Sequence, residues 1–250
     1  MAISTPATAP DPQEQRRDAS ADGEDYYREH GLEQDRIALW YYARVLRHIR
    51  PKGGRLLDFG CGTGHLLRRL SDRFETYGYD VSAHARSLCQ AIAPGAVVLE
   101  DWTVLEPSSL DVVVALHTLE HIEQPLPVVQ ALSTRLRPGG LFLFVVPNPG
   151  GLGRRLKRDA WFAYRDPTHR SLLNRGEWIV LSQQAGLHVE WVRGDGMWDA
   201  PYVPWLPVAL QRVLFGAPAA LQLVSPLRRP FLPSFLGECL IVAALKPAGA

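Results

Sequence analysis

Residues 56–65 read LLDFGCGTGH, a short apolar run that leads into three glycines at alternate positions. Glycine accepts backbone conformations that other residues avoid, and it has no side chain to keep a ligand away from the main chain. The stretch therefore predicts a strand, a tight turn and the start of a helix, whose free N–H groups favour a bound ligand. We infer a nucleotide-containing cofactor at the carboxyl end of a parallel strand.

The dinucleotide fingerprint G-x-G-x-x-G does not fit this loop. Counted from Gly60, its third glycine would stand at position 65, which is His65, and counted from Gly62 it would stand at Leu67. That third glycine allows close packing of the helix on the strand. The loop therefore argues against NAD.

The rest of the chain alternates apolar runs with segments of helical spacing. The apolar runs predict strands at residues 55–59, 76–80, 96–100, 110–116, 141–146, 188–192 and 238–244. Helical spacing is found at residues 65–72, 83–92, 126–136 and 177–185. This alternation predicts an α/β fold with a Rossmann-like, doubly wound, mostly parallel sheet. We expect the last strand to be antiparallel.

The chain has 250 residues, of which 46% are hydrophobic, enough for one main domain. Residues 1–23 are rich in Pro, Ala, Asp and Gln, which predicts a disordered tail, and they have no apolar core of the kind found in secretory signals. Residues 24–52 predict an N-terminal helical cap on the domain formed by residues 53–250. Insertions are expected in that domain at about residues 150–175 and 197–236.

The charge and the cysteines exclude several classes of protein. The net charge is +1 and no long basic run occurs, so nothing indicates a nucleic-acid partner. Cys61, Cys89 and Cys239 are far apart and odd in number, which argues against a disulfide framework or a cysteine zinc site. The simplest compartment for such a chain is the reducing cytoplasm.

Residues 117–121 read HTLEH, which matches the H-x-x-E-H signature of one group of zinc peptidases. That signature binds zinc when both histidines lie on one helix. Here a β-branched run at 111–116 predicts a buried strand, and Pro125 and Pro127 follow soon after. We therefore reject the zinc peptidase hypothesis and expect no metal. His117 and His121 are expected at the end of the fourth strand and in the turn after it.

The loop at 58–64, D-F-G-C-G-T-G, resembles the D/E-x-G-x-G-x-G loop of class I S-adenosylmethionine-dependent methyltransferases. Four further segments resemble motifs of that family and occur in its order: Y-D-V-S at 79–82, L-E-D-W at 99–102, L-H-T-L-E-H-I at 116–122 and L-R-P-G-G at 136–140. The resemblance covers roughly residues 36–192. It implies the small-molecule branch of the family, with S-adenosylmethionine as cofactor and S-adenosylhomocysteine as product.

Carried over by position, the resemblance implies a role for each loop. Asp58 would hold the glycine loop and the amino end of the cofactor, and Asp80 would accept hydrogen bonds from both ribose hydroxyls. Asp101 and the N–H of Trp102 would meet the adenine; the alternative for both aspartates is a role as a helix cap or turn residue. The implied cofactor-binding residues are Asp58, Gly60, Cys61, Gly62, Gly64, Asp80, Val81, Asp101, Trp102 and His117.

The implied activity is methyl transfer to a small-molecule, lipid-linked or glycan-linked acceptor, and we expect oxygen to be the methylated atom. Transfer to a hydroxyl needs a base, and histidine titrates near neutral pH. We rank His169, in the D-P-T-H element at 166–169, before His121 as the catalytic residue. The alternative is a cofactor-binding interaction or sensing protein without methyltransferase activity.

The segment 197–236 is unusually rich in apolar side chains for a connection between strands. It predicts a lid over the acceptor site, an interface in a homodimer, or a peripheral membrane contact. Its uncharged run at 213–227 is broken by Gly216, Pro218 and Pro226 and is too short to span a membrane. We therefore expect no transmembrane segment.

Overall fold

A computed structural model describes residues 34–248. The predicted tail at 1–23 and the first part of the predicted helical cap lie outside the described residues. The described chain contains a seven-stranded sheet in the order β3-β2-β1-β4-β5-β7-β6. Its strands are β1 (Gly54–Phe59), β2 (Phe74–Tyr79), β3 (Val97–Leu99), β4 (Leu110–Leu116), β5 (Leu136–Pro147), β6 (His188–Gly194) and β7 (Cys239–Leu245).

Only β7 of these strands runs antiparallel to its neighbours, pairing with β5 on one side and β6 on the other. The other pairs, β1 with β2, β1 with β4, β2 with β3 and β4 with β5, are parallel. The predicted α/β fold with a mostly parallel sheet and an antiparallel last strand is therefore confirmed. In such a sheet, the carboxyl ends of the parallel strands lie at one edge.

Helices cover both faces of the sheet. They are α1 (Ile37–Ile49), α2 (His65–Leu70), α3 (Ala83–Ile92), α4 (Pro125–Arg135), α5 (Leu152–Lys157), α6 (Phe162–Arg165), α7 (Arg175–Gln184) and α8 (Val208–Val224). Alternate residues of the central strands face opposite layers, since Leu57 and Val113 belong to one core cluster and Leu56 and Val112 to the other. A strand buried on both faces needs mostly apolar side chains, which is why residues 112–116 form an unbroken apolar run.

The insertion at 150–175 is tied to the sheet by a buried tryptophan. The Trp161 side chain has no exposed surface, and its Nε1–H donates to Oε2 of Glu238 at 2.8 Å. Glu238 also accepts a hydrogen bond from the Tyr202 hydroxyl at 2.6 Å, so the insertion at 197–236 is anchored at the same point. The segments 150–175 and 197–236, which the sequence predicts as insertions, therefore meet beside the end of β5 and the start of β7.

The expected break at Gly216 and Pro218 is wrong. Helix α8 runs through both residues. Its second half is held by tertiary contacts: Gln222 donates to the carbonyl of Gly194 at 3.0 Å and accepts the N–H groups of Phe231 and Leu232, both at 2.8 Å. These bonds outweigh the low helix propensity of glycine and proline. Among residues 34–248, no helix is long and apolar enough to cross a membrane.

Candidate active site

The glycine loop joins β1 to α2 at the carboxyl edge of the sheet. Gly60, Gly62 and Gly64 have φ values of +81°, +51° and +81°, a region that other residues rarely adopt. The N–H groups of Gly60 and Cys61 both donate to the carbonyl of Tyr79, at 2.7 and 2.9 Å. The loop is therefore fixed to the end of β2, and the first residues of α2 face the same edge.

Asp80 follows β2 and is bonded directly to this loop. Its Oδ2 accepts the N–H of Gly62 at 2.9 Å, and its Oδ1 accepts the N–H of Ser82 at 3.0 Å. The residue is buried. A carboxylate oxygen can accept more than one hydrogen bond, so these two contacts do not prevent Asp80 from accepting from a diol. Asp80 therefore lies against the glycine loop, a contact that the sequence analysis did not predict.

Asp58 lies at the end of β1, beneath the loop, and is 3% exposed. Burial raises the pKa of this carboxyl well above its usual range, and the neighbouring Cys89 and Asp80 raise it further. The charged form of Asp58 is thus disfavoured by its surroundings. A ligand that brings a positive charge to this point would stabilise the carboxylate.

Asp101 and Trp102 follow β3. Oδ1 of Asp101 accepts both the N–H and the hydroxyl of Thr103, at 2.9 and 2.7 Å, so Asp101 caps the 3₁₀ turn Trp102–Val104. The Trp102 ring is buried against Phe59, with 5.6 Å between ring centroids. The capping alternative for Asp101 is therefore realised in the fold, and any contact of Trp102 with a ligand would use its main chain.

Cys61, Val81 and His117 are the remaining predicted cofactor-binding side chains. Cys61 is buried, with its Sγ 3.9 Å from Sγ of Cys89, while Val81 is exposed at the rim after Asp80. His117 follows β4 with a φ of +54°, and its N–H donates to the carbonyl of Val145 at 2.9 Å. The ten predicted cofactor-binding residues thus lie at or just after the ends of neighbouring parallel strands, at one edge of the sheet.

The two candidate bases meet at this edge although they lie far apart in sequence. The carbonyl of Glu120 accepts the N–H groups of Arg170 and Ser171, at 2.8 and 2.9 Å. This bond pair joins the loop at 166–171 to the 3₁₀ turn Leu119–His121. The rings of His121 and His169 therefore lie in contact, with 4.8 Å between centroids.

Hydrogen bonding fixes which nitrogen of His121 is free. The Thr168 hydroxyl lies 2.5 Å from Oδ1 of Asp166 and donates its only proton there. Its oxygen lies 2.9 Å from Nδ1 of His121, and the Thr168 carbonyl lies 3.3 Å from the same nitrogen. Because both are acceptors, Nδ1 carries the proton and Nε2 of the neutral ring keeps a lone pair.

The pKa values at this point favour a neutral His121 and an ionised Asp166. Burial lowers the pKa of His121 below its ordinary value of 6.5 and outweighs the neighbouring Glu120, which raises that pKa. Burial alone would raise the pKa of Asp166, but hydrogen bonds from the hydroxyl and N–H of Thr168 outweigh it and lower the value. His169 is more enclosed: its side chain is 7% exposed and its Nδ1 lies 2.7 Å from the carbonyl of Ala163.

Three residues at the same edge were not predicted. Glu120 is 1% exposed, with Oε1 at 3.4 Å from Nδ1 of His117 and with no hydrogen-bond partner for Oε2 among the described residues. The Tyr41 hydroxyl of α1 is likewise buried without a described partner. Asp195, directly after β6, has its pKa raised to about 6 by burial. Only Glu120 gave a sequence signal, as part of the HTLEH string.

The HTLEH string does not form a helix with both histidines on one face. The turn Leu119–His121 is a short 3₁₀ helix, and His117 stands before it with a left-handed backbone. A different trio is close in space: ligand atoms of Glu120, His121 and His169 all lie within 4.8 Å of one another. Among the described residues, these three side chains have the donor atoms and the spacing to hold a metal ion.

Comparison with known proteins decides the family. The sequence pattern of the family described as a methyltransferase domain matches residues 27–191, more than half of the chain. The chain belongs to this family. The predicted resemblance to S-adenosylmethionine-dependent methyltransferases is confirmed, and with it S-adenosylmethionine as the cofactor.

Curated relatives of this methyltransferase family include ubiquinone biosynthesis O-methyltransferases. That of Chromobacterium violaceum is 32% identical over 111 residues, which is 41% of this chain and 48% of the relative. That of Idiomarina loihiensis is 31% identical over 105 residues, which is 38% of this chain and 43% of the relative. The chain therefore spans about half the length of the curated relatives it matches.

Solved structures support the fold. An S-adenosylmethionine-dependent methyltransferase from Archaeoglobus fulgidus matches with a TM-score of 0.59 at 18% identity, covering 88% of this chain and 99% of that one. A TehB-like S-adenosylmethionine-dependent methyltransferase from Corynebacterium glutamicum matches with a TM-score of 0.55 at 16% identity, covering 94% and 99%. At these identities the likeness concerns the fold alone.

The residues present fit the cofactor of this family. S-adenosylmethionine carries a sulfonium and an ammonium group, and the buried Asp58 carboxyl is a group whose ionisation a nearby cation favours. Asp80 offers two acceptor oxygens for a vicinal diol. Gly60 brings the main chain to the edge of the sheet without a side chain in the way.

Proposed function

We propose that this chain transfers a methyl group from S-adenosylmethionine to a hydroxyl oxygen of a small-molecule, lipid-linked or glycan-linked acceptor. The observation that carries the proposal is the neutral His121, whose Nδ1–H is bound by Thr168 so that Nε2 is left as a proton acceptor. The O-methyltransferase names of the two curated relatives support oxygen as the methylated atom.

His121 is better suited to take the proton than His169, although the sequence ranked His169 first. The His169 ring is enclosed, with its Nδ1 bound by the carbonyl of Ala163 and its Nε2 3.7 Å from Oδ2 of Asp166. It lies behind His121 at ring-contact distance, where it can hold the imidazole in place. We therefore assign His121 as the base and His169 as a positioning residue.

Bound S-adenosylmethionine supplies a methyl group that is already activated by the sulfonium. What remains for the chain is to orient the acceptor, exclude water and remove the hydroxyl proton. We propose that the glycine loop, Asp58, Asp80, Asp101 and the main chains of Trp102 and His117 hold the cofactor. Glu120, buried beside His117, keeps a negative charge or a hydrogen-bond acceptor close to the transfer point.

The acceptor class can be tested with labelled methyl transfer. The full chain is incubated with methyl-labelled S-adenosylmethionine and matched acceptor pairs that differ only in a hydroxyl or an amine, presented as free phenols and as lipid extracts. We expect label on the hydroxyl member of each productive pair, with the site identified by mass. Label on amines alone would overturn the oxygen assignment.

A binding measurement shows whether a negative result concerns the proposed activity or the cofactor assignment. S-adenosylhomocysteine binding is followed by calorimetry in the same preparation. Binding without transfer to any acceptor would contradict the proposed activity and favour a sensing or interaction protein that has kept the fold. Absence of binding would contradict the cofactor assignment itself.

Asp80→Ala should weaken S-adenosylhomocysteine binding by about 1.5–3 kcal/mol, the range for hydrogen bonds to a charged group. The substitution removes both the proposed diol acceptor and the acceptor of the Gly62 N–H. Calorimetry measures the change, with circular dichroism to establish that the variant is folded. Asp72→Ala is the control, because the side chain of Asp72 is 59% exposed and pairs with Arg47 on the surface. Equal affinities for the two variants would remove the ribose assignment.

A further inference from the structure

Helix α8 has the reverse of the usual polarity for a surface helix. The residues that face away from the protein are apolar and follow helical spacing, at Leu210, Val213, Leu214, Leu221 and Val224. Val213, Leu221 and Val224 are 65%, 62% and 65% exposed. The buried positions of the same helix are instead two glutamines, Gln211 and Gln222, at 0% and 2%.

The orientation of this helix is fixed by those glutamines. Oε1 of Gln211 accepts the N–H groups of Tyr202 and Val203, and its Nε2 donates to the carbonyls of Val203 and Leu206. Gln222 binds the ends of two neighbouring segments in the same way. Ala219 lies against Gly196, where a Cβ would come within 2.3 Å of it. Turning the apolar side inward would break all of these contacts.

The segment that carries the apolar face has arginines as its only charged residues. Residues 201–237 contain no Asp or Glu, and their three charged residues, Arg212, Arg228 and Arg229, are all exposed. Trp205, just before the helix, is 82% exposed and Phe235, after it, is 57% exposed. Exposed aromatic and aliphatic side chains in a segment whose charged residues are all arginines are the composition of a helix that lies in the interface of a bilayer.

We propose that the face formed by Trp205, Leu210, Val213, Leu214, Leu221 and Val224 docks on an anionic lipid bilayer, with Arg228 and Arg229, which follow the helix, attracted to the lipid phosphates. Apolar burial and attraction to anionic headgroups both contribute to such binding. A second copy of this chain is a poorer occupant, because a two-fold interface would bring two acid-free, arginine-bearing faces together. A lid over the site would turn its apolar side towards the protein, not away from it.

Helix α8 is attached at the same edge of the sheet as the site. Gln222 is bonded to Gly194 at the end of β6, and Gly194 is paired with Leu240 of β7. The preceding residue, Cys239 at the start of β7, is paired with Pro147 at the carboxyl end of β5. A bilayer on this face would therefore lie beside the catalytic edge. The proposal concerns where the protein sits and holds whichever acceptor is methylated.

Co-sedimentation of the full chain with vesicles tests the proposal. We expect binding to vesicles of phosphatidylcholine with phosphatidylglycerol, weak binding to phosphatidylcholine alone, and a loss of affinity as salt is raised. The triple substitution Val213→Ser, Leu214→Ser and Leu221→Ser should abolish binding. Val180→Ser on α7 is the matched control, since Val180 is 51% exposed on another surface. Arg228→Gln should weaken binding to anionic vesicles about fivefold.

Sedimentation velocity of the same proteins without lipid tests the competing hypothesis, in which the apolar face binds a second copy of this chain. A dimer that the triple substitution converts to a monomer, together with no binding to either vesicle, would overturn the proposal in favour of a subunit interface. Equal binding of the native chain and a folded triple variant to anionic vesicles would also overturn it, because the helix face would then not be the contact.

Discussion

His121→Ala should slow methyl transfer by about 10²- to 10⁴-fold, the contribution of a positioned general base. The loss should appear in kcat, while the affinity for S-adenosylhomocysteine stays close to that of the native chain. The physical reason is that Nε2 of His121 is the ring nitrogen left without a proton once Nδ1 is bound by Thr168. Single-turnover rates at saturating acceptor measure the change.

The pH dependence of the rate distinguishes a base from a structural residue, because only a titrating base would change it. Burial lowers the pKa of His121 below 6.5, so the neutral, base-competent ring persists to lower pH than for a solvated histidine. The acid limb of kcat/KM should therefore fall below pH 6.5 in the native chain, since activity is lost as His121 gains a proton. In His121→Ala this limb should flatten.

Two comparisons make the assignment sharp. His188→Ala is the control, because the side chain of His188 is 71% exposed on β6, and it should leave rate and profile unchanged. His169→Gln should retain more activity than His121→Ala, since His169 acts through the ring it contacts. A full loss in His169→Gln with near-native turnover in His121→Ala would transfer the role of base to His169.

The sequence predicted the sheet well because its strands carry their own signal. A parallel strand buried on both faces is mostly apolar, and the strand predicted at residues 110–116 matches β4 at both ends. The glycine loop was equally informative, since its three positive φ values demand glycine. The strand β5 begins earlier than expected, at Leu136, because its first residue pairs with Leu110 of β4 and not because of its own apolar pattern.

Contacts between distant residues were beyond the sequence. Thr168 meets His121 across 47 residues, and the bonds that bring them together go to the main-chain carbonyl of Glu120, which any residue would supply. The continuity of α8 had the same cause, because side chains of Gln211 and Gln222 bind segments whose positions only the fold determines. Local sequence patterns do not predict such bonds. The sequence therefore showed that the segment 197–236 is apolar, but not that the apolar side chains of α8 face away from the protein.

Gly60→Ala should destabilise the fold by about 2–5 kcal/mol and weaken S-adenosylhomocysteine binding by more than about 10²-fold. A left-handed backbone costs an alanine about 1–2 kcal/mol, and overpacking adds about 1–3 kcal/mol. Overpacking is expected because the new Cβ would lie 2.5 Å from Cγ2 and 2.9 Å from Cβ of Thr118, a side chain too short to move aside. The loop must then shift, and shifts of about 1 Å in a positioned site cost about 10²-fold.

Gly139→Ala is the control that measures the backbone cost alone, so the difference between the two variants gives the cost of the contact with Thr118. Gly139 has nearly the same backbone, with φ of +75°, but an added Cβ there meets nothing within 4 Å. It should therefore lose only the conformational term of about 1–2 kcal/mol and keep native cofactor affinity. Urea unfolding and calorimetry on both variants give the two differences. If the two variants were destabilised equally, the Thr118 side chain would have moved aside without a cost in stability. Native affinity in Gly60→Ala would mean that cofactor binding does not depend on the close contact of the loop with the turn after β4.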